Sequence, residues 1–350
     1  MRWLMLILLL AACGCRKSSD PKAAPTVSFD AAKPARAELQ VLEQIGLWEM
    51  DTTLIEHNAE NQPARTNRST ATMRVNWAVN GIFLLLETEI NSQPKAYELV
   101  VKNLVTSAKV NPYRCTWFHD DGLVRGYAGQ WQPQQARMDW APIYLPGAPK
   151  ELDIHMTDIT TGPGKKQFSY QIVLNQKPIA SGQFEARHAA NAAPPAAAAM
   201  PASPELKRLG QAGMWKETQT LLEGGAIKEL ESMSRMRWSR GGKFLINEGV
   251  TDPAGNPAYF LWVKTWDVQD GVYRWAYFWQ DGHINHFTGY WDAAKNLITW
   301  QCVLQERELI ELREILVSPK ERKWTVEAHT PKGIVSTGSG SSHYQGPAKK

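Results

Sequence analysis

The chain repeats itself. Tyr113-Arg114-Cys115-Thr116-Trp117-Phe118-His119-Asp120-Asp121-Gly122 returns as Tyr273-Arg274-Trp275-Ala276-Tyr277-Phe278-Trp279-Gln280-Asp281-Gly282, and the copies resume with Gly129-Gln130-Trp131 and Gly289-Tyr290-Trp291. A run of β-branched and aromatic residues closed by Asp-Gly predicts a hairpin with a two-residue turn. The correspondence reaches further: Gly46-Leu47-Trp48 answers to Gly213-Met214-Trp215, Arg74 and Trp77 to Arg235 and Trp238, Asn80-Gly81-Ile82-Phe83-Leu84 to Gly241-Gly242-Lys243-Phe244-Leu245, and Trp140 to Trp300. Spacing kept across so many strands requires one fold in both halves. Each half is a series of short runs separated by Gly, Pro, Asn and Asp, the pattern of an antiparallel sandwich or closed barrel.

The ends predict an address. Arg2 and the apolar run Trp3 to Leu10 lead into Leu10-Ala11-Ala12-Cys13. That run is too short to span a bilayer and has the charged start and small-residue end of a secretory signal. The last four residues resemble a bacterial lipobox, which implies that Cys13 becomes a lipidated N-terminus; Cys15 is the alternative and fits less well. Several acyl chains would hold the protein on a membrane. Gly14 in place of Asp implies, by the same resemblance, the outer membrane. Residues 1–12 are thus read as a signal peptide, 13–38 as a flexible tether, 39–188 as the first domain, 189–204 as an Ala/Pro linker and 205–345 as the second domain.

The residues that carry the duplication also carry a family resemblance. Gly-x-Trp, a basic-plus-Trp strand, a Gly-(Gly)-x-Phe-Leu hairpin, then a Tyr-rich strand into Asp-Gly and Gly-x-Trp resemble an uncharacterised family of bacterial secreted lipocalin-like domains of unknown function. The resemblance covers most of each half and implies an all-β chain of two tandem antiparallel lipocalin-like β-barrels joined by the Ala/Pro linker. Haem-binding nitrobindin-type domains also open on Gly-x-Trp. They continue with glycines where this chain has Glu49-Met50-Asp51 and Lys216-Glu217-Thr218, so no cofactor is expected.

With a two-residue turn at Asp281-Gly282, one face of the hairpin carries Tyr273, Trp275, Tyr277 and Trp279 opposite Tyr290, Thr288, His286 and Ile284. Its aromatic content makes it the inward candidate, with His286 on the same wall. The equivalent face in the first half is Tyr113, Cys115, Trp117 and His119 opposite Gln130, Ala128, Gly126 and Val124. Smaller residues there predict a cavity in the first barrel and a second barrel filled by its own rings. These residues are the candidate ligand-binding set, and plain core packing is the competing reading. On the preceding hairpin Arg74 falls opposite Glu87 and Arg235 opposite Glu248, both read as cross-strand ion pairs on the outer face worth under about 1 kcal/mol, with a buried pair that fixes a polar ligand group as the alternative.

Chemistry is otherwise sparse. A net charge of +4 without long basic runs gives no nucleic-acid footprint. Cys115 and Cys302 fall at non-equivalent positions and read as separate buried thiols, with a disulfide between the copies as the alternative. His283-x-x-His286 on a strand sends its rings to opposite faces, which does not suit a metal. Asp153, Asp158, Glu311 and Glu314 alternate with apolar residues and read as solvated faces. No Gly-x-Ser-x-Gly, His-Glu-x-x-His or phosphate loop occurs. The expected function is binding of a small apolar or aromatic ligand, with contact to a glycan or envelope protein through exposed Trp262, Trp266 and Trp279 as the alternative and an enzyme as the third reading, since fold alone never excludes one.

Overall fold

The computed structural model describes residues 29–348 except 32, 43, 59, 144–151, 190–199, 224, 253–255 and 305–307. The signal segment, Cys13 and most of the Ala/Pro linker lie outside the described residues. The chain is all-β and forms two closed ten-stranded antiparallel barrels in sequence order, each an up-and-down series closed by its first and last strands. A short β1 (Asp30–Ala31) precedes the first barrel, which comprises β2 (Gly46–His57), β3 (Pro63–Ala78), β4 (Phe83–Ile90), β5 (Ala96–Leu104), β6 (Tyr113–His119), β7 (Val124–Gln132), β8 (Arg137–Ile143), β9 (Leu152–Gly162), β10 (Lys165–Leu174) and β11 (Lys177–Ala189). The second comprises β12 (Gly213–Glu223), β13 (Ala226–Trp238), β14 (Leu245–Thr251), β15 (Ala258–Asp267), β16 (Val272–Trp279), β17 (Ile284–Asp292), β18 (Leu297–Val303), β19 (Leu309–Ser318), β20 (Glu321–Thr330) and β21 (Gly333–Gly346). Closure of β2 on β11 and β12 on β21 leaves neither barrel with a long free edge.

Each barrel is stoppered at one end by the segment that enters it. A 3-10 turn (Ala37–Val41) serves the first, and helix α1 (Pro204–Arg208) the second; α1 starts at Ser203, whose hydroxyl accepts the Leu206 N–H. The two stoppers are fixed by the same bonds. Tyr113 Oη donates to the Glu38 carbonyl and Tyr273 Oη to that of Glu205, both at 3.1 Å. Trp48 Nε1 donates to Gln44 O and Trp215 Nε1 to Gln211 O, both at 3.0 Å. Leu39 and Leu42, or Leu206 and Leu209, are buried beneath. The duplication thus includes the stopper, which the repeated motifs alone did not disclose.

The hairpin turns differ from expectation and shift the register. Gly122 N donates to His119 O and His119 N to Leu123 O, both at 2.9 Å; the second copy bonds Gly282 to Trp279 and Trp279 to His283. The loops are therefore three residues long, Asp120-Asp121-Gly122 and Gln280-Asp281-Gly282. Gly122 and Gly282 have φ of 96° and 93°, the left-handed position such loops require. One residue more in the loop reverses the parity of the returning strand. Tyr273 now faces Gly289, Trp275 faces Phe287 and Tyr277 faces Asn285, while His286 pairs with Ala276 on the outer face.

The barrels pack side by side through a pseudo-two-fold. Leu85, Leu99, Val101 and Phe118 of the first meet Ile246, Leu261, Val263 and Phe278 of the second in one buried cluster. Phe83 lies 6.5 Å from Phe278, and its counterpart Phe244 lies 6.2 Å from Phe118. At the cluster's flanks Thr106 N donates to Asp281 O and Val268 N to Asp121 O. Strands at this seam are covered on both faces, which is why β14 is buried at every position. The Arg74/Glu87 and Arg235/Glu248 registers are those expected. Their outer face, however, is covered by the seam: Glu87 and Glu248 are 5% and 1% exposed. Glu248 takes Arg235 at 2.7 Å, and Glu87 takes Arg237 of the other barrel at 2.7 Å. The first pair lies within the second barrel and the second crosses the seam, and both are buried electrostatics and not solvated surface pairs. Asp30, on β1, adds a two-pronged bond to Arg235 and ties the entering segment to the second barrel.

Candidate functional site

Both lumens hold one carboxylate between two cations, on equivalent strands. In the first barrel Asp158 on β9 lies 3.4 Å from Lys102 on β5 and 3.6 Å from Lys166 on β10. In the second Glu314 on β19 lies 2.8 Å from Lys264 on β15 and 2.8 Å from Arg322 on β20. Register fixes the correspondence: Lys102 pairs with Cys115 and Lys264 with Trp275, while Trp140 pairs with Met156 and Trp300 with Leu312, each two residues before the acid. The cations also anchor the stoppers, Lys166 to Leu42 O at 2.9 Å and Arg322 to Leu209 O. The expectation that Asp158 and Glu314 lie on solvated faces is overturned, since each is 6% exposed and turned inward. Alternation along a strand names two faces without saying which is wet.

The second barrel elaborates this floor. Lys264 Nζ stands 4.6 Å from the centre of the Trp300 ring, 4.7 Å from Trp275 and 4.9 Å from Trp262, an ammonium enclosed by three indole faces. Trp300 Nε1 donates to Glu314 at 2.9 Å. Burial pushes the Glu314 carboxyl up, but Lys264 and Arg322 outweigh it and hold it at about 2. Burial pushes Lys264 down to about 8 against the pull of Glu314, so the ammonium remains the main form at neutral pH. A further acid, Glu217, accepts the Ser342 hydroxyl at 2.6 Å, and burial raises its pKa.

Above the floor the two walls differ in chemistry. Phe260, Trp262, Trp275, Tyr277, Trp279 and Phe287 make an aromatic wall, with Trp275 stacked on Phe287 at 4.4 Å. Glu217, Gln219, Ser232, Ser234, Asn247 and Ser342 make a polar one. By register their counterparts in the first barrel are Met50, Thr52, Ala71, Met73, Leu86 and Ala186, nearly all apolar. Part of the polar wall is internally bonded: Ser232 to Thr251 at 3.1 Å, and Asn247, with its amide oxygen and nitrogen assigned by its neighbours, to Ser234 and to the Trp262 indole at 3.0 and 2.8 Å. The wall encloses a cavity of about 180 Å³, against about 90 Å³ in the first barrel. The size order expected from the sequence is thus reversed. The parity change brings Tyr127, 1% exposed, into the first lumen opposite Cys115, where a small residue was expected.

Of the sequence-derived candidates, Trp275, Tyr277 and Trp279 line the larger cavity and Tyr273 bonds the stopper beneath it. Cys115 and Trp117 line the smaller one, Tyr113 bonds its stopper, and His119 stacks on Trp117 with Nδ1 3.4 Å from Glu98. His286 lies outside the lumen. The expected exposed tryptophans are inward: Trp262 is 7% exposed, and Trp266 and Trp279 are half-buried. Cys115 and Cys302 are buried and neither is in a disulfide, and no group of three or more metal-binding side chains occurs among the described residues.

No protein-family model matches the chain, and no curated protein matches it. Solved structures align along most of its length at low similarity. A protein of unknown function from the DUF3598 family of Nostoc punctiforme is 10% identical over 87% of this chain and 97% of its own, with a TM-score of 0.26. A putative AttH from Nitrosomonas europaea is 8% identical over 89% and 97%, with a TM-score of 0.18, and a transferrin-binding protein B variant from Haemophilus parasuis is 8% identical over 88% and 77%, with a TM-score of 0.21. At TM-scores this low the likeness says nothing about the site, whose chemistry stands on its own geometry.

Proposed function

We propose that this is a lipid-anchored cell-envelope binding protein whose second barrel takes a small organic molecule, with the first barrel as its structural partner. The observation that carries the reading is the two-walled cavity of about 180 Å³ in the second lumen. Mostly apolar concavities with a few converging polar groups are the usual form of small-molecule sites. A space near 150 Å³ suffices for one aromatic ring. Burial of the tryptophans weighs against the glycan and protein-partner alternative. The anchor and the outer-membrane address rest on the residues around Cys13.

Native mass spectrometry of the intact protein, isolated in detergent from its own envelope and then denatured, tests the reading. A compound that departs on unfolding supports it, and a bare mass in both states contradicts it.

A further inference from the structure

The cavity's polar groups narrow what can occupy it. Gln219 on β12 and Asn285 on β17 are each 8% exposed, line the lumen, and make no side-chain hydrogen bond among the described residues. Their counterparts in the first barrel are Thr52, bonded to Ser69, and Arg125. In the order of the second barrel β12 and β17 are five strands apart in a ring of ten, so the two amides face one another across the lumen. Asn285 pairs with Tyr277, two inward positions from Tyr273, and Gln219 is two inward positions from Trp215, which places both above the charged floor. A hydrocarbon in this space would leave both amides dry, and a buried amide without a partner is costly. At the floor Glu314 already answers Lys264 and Arg322, each at 2.8 Å, and a further charge brought beside that bonded group would have to be buried without a partner of its own.

Resting on the ligand-binding reading above, we infer that the second barrel selects a neutral single-ring compound with hydrogen-bonding groups on opposite edges, one for Gln219 and one for Asn285, its face against the aromatic wall. A purely apolar ring and a charged one are both disfavoured. The floor charges set polarity and hold the stopper, while the two amides read the ligand.

Isothermal titration of the full-length protein in detergent, under argon, tests this with three probes of one shape: hydroquinone, p-xylene and 4-hydroxybenzoate. Hydroquinone is expected to bind at least tenfold tighter than the other two. Gln219→Leu and Asn285→Leu should each weaken hydroquinone about tenfold, the loss of one hydrogen bond of about 1.4 kcal/mol, and leave p-xylene unchanged or tighter. Unfolding midpoints of the variants confirm that they fold. Binding of p-xylene as tightly as hydroquinone overturns the inference and leaves a ligand-binding barrel standing. Preference for 4-hydroxybenzoate overturns the neutrality it assigns. Binding of none of the three overturns the inference, and a bare native mass alongside would remove the ligand-binding reading as well.

Discussion

Glu314→Gln removes one charge from the centre of the second lumen and leaves the shape nearly intact. Lys264 and Arg322, each 2.8 Å from that carboxylate, would then share a water-poor site without the one carboxylate that bonds them both. The fall from an ordinary 4.5 to about 2 in the folded protein, at about 1.4 kcal/mol per pH unit, corresponds to about 3 kcal/mol. That lies at the lower edge of the 3–5 kcal/mol lost when one partner of a buried pair is removed. The sign is set by the depressed folded pKa: the stabilisation is full above the unfolded value and is lost as pH falls from about 4.5 towards 2. Urea unfolding followed by tryptophan fluorescence should therefore show a loss of about 3 kcal/mol at pH 7, narrowing as the pH is lowered through that window. Replacing the whole group, Lys264→Met with Glu314→Leu and Arg322→Met, should recover most of it, since apolar substitutes for a buried ionic cluster are often neutral or better. A loss under about 1 kcal/mol, the range of surface pairs, would show that these charges are not desolvated and refute the description of the floor.

Three further outcomes follow from other parts of the molecule. Burial raises Glu217, so its favourable share is full below the unfolded pKa and lost as pH rises; Glu217→Gln should be more stable than the natural chain at pH 8 and lose that advantage near pH 4, measured by the same unfolding assay. A Cβ on Gly122 would stand 2.1 Å from Asp267 Cα, and one on Gly282 would stand 2.4 Å from Val105 Cα. Gly122→Ala and Gly282→Ala should thus each cost about 1–3 kcal/mol and begin to separate calorimetric unfolding into two transitions. Cys13→Ser should move the protein from the membrane pellet to the soluble fraction, whereas retention in the pellet would contradict the anchor.

Much of the fold was legible because duplicated sequence doubles every observation. Matched tryptophans and Asp-Gly ends marked the strands, and the Arg74/Glu87 and Arg235/Glu248 registers came out of Asn-Gly and Gly-Gly turns alone. The second hairpin misled because Asp-Gly also suits a three-residue loop, and one residue there moves Tyr127 and Phe287 inward and His286 out. The floor was missed for a different reason. Lys102, Asp158 and Lys166 look like ordinary strand polarity until they are aligned with Lys264, Glu314 and Arg322, where charge sign is kept at all three positions while the neighbouring lumen residues change. That agreement between copies was the available signal. Residues facing the seam were unreadable as such, since an apolar outer face looks the same whether a second barrel or a core covers it.

The central claim is that the second lumen, and not the first, is the binding site. The direct measurement is the indole spectrum of the full-length protein labelled with ¹⁵N-tryptophan, recorded as isolated and again after unfolding, removal of small molecules and refolding. The account predicts movement of Trp275, Trp279 and Trp324, which line the larger cavity, with Trp48, Trp117 and Trp140 unmoved. Shifts confined to the first barrel's tryptophans, or identical spectra in the two states, would contradict it.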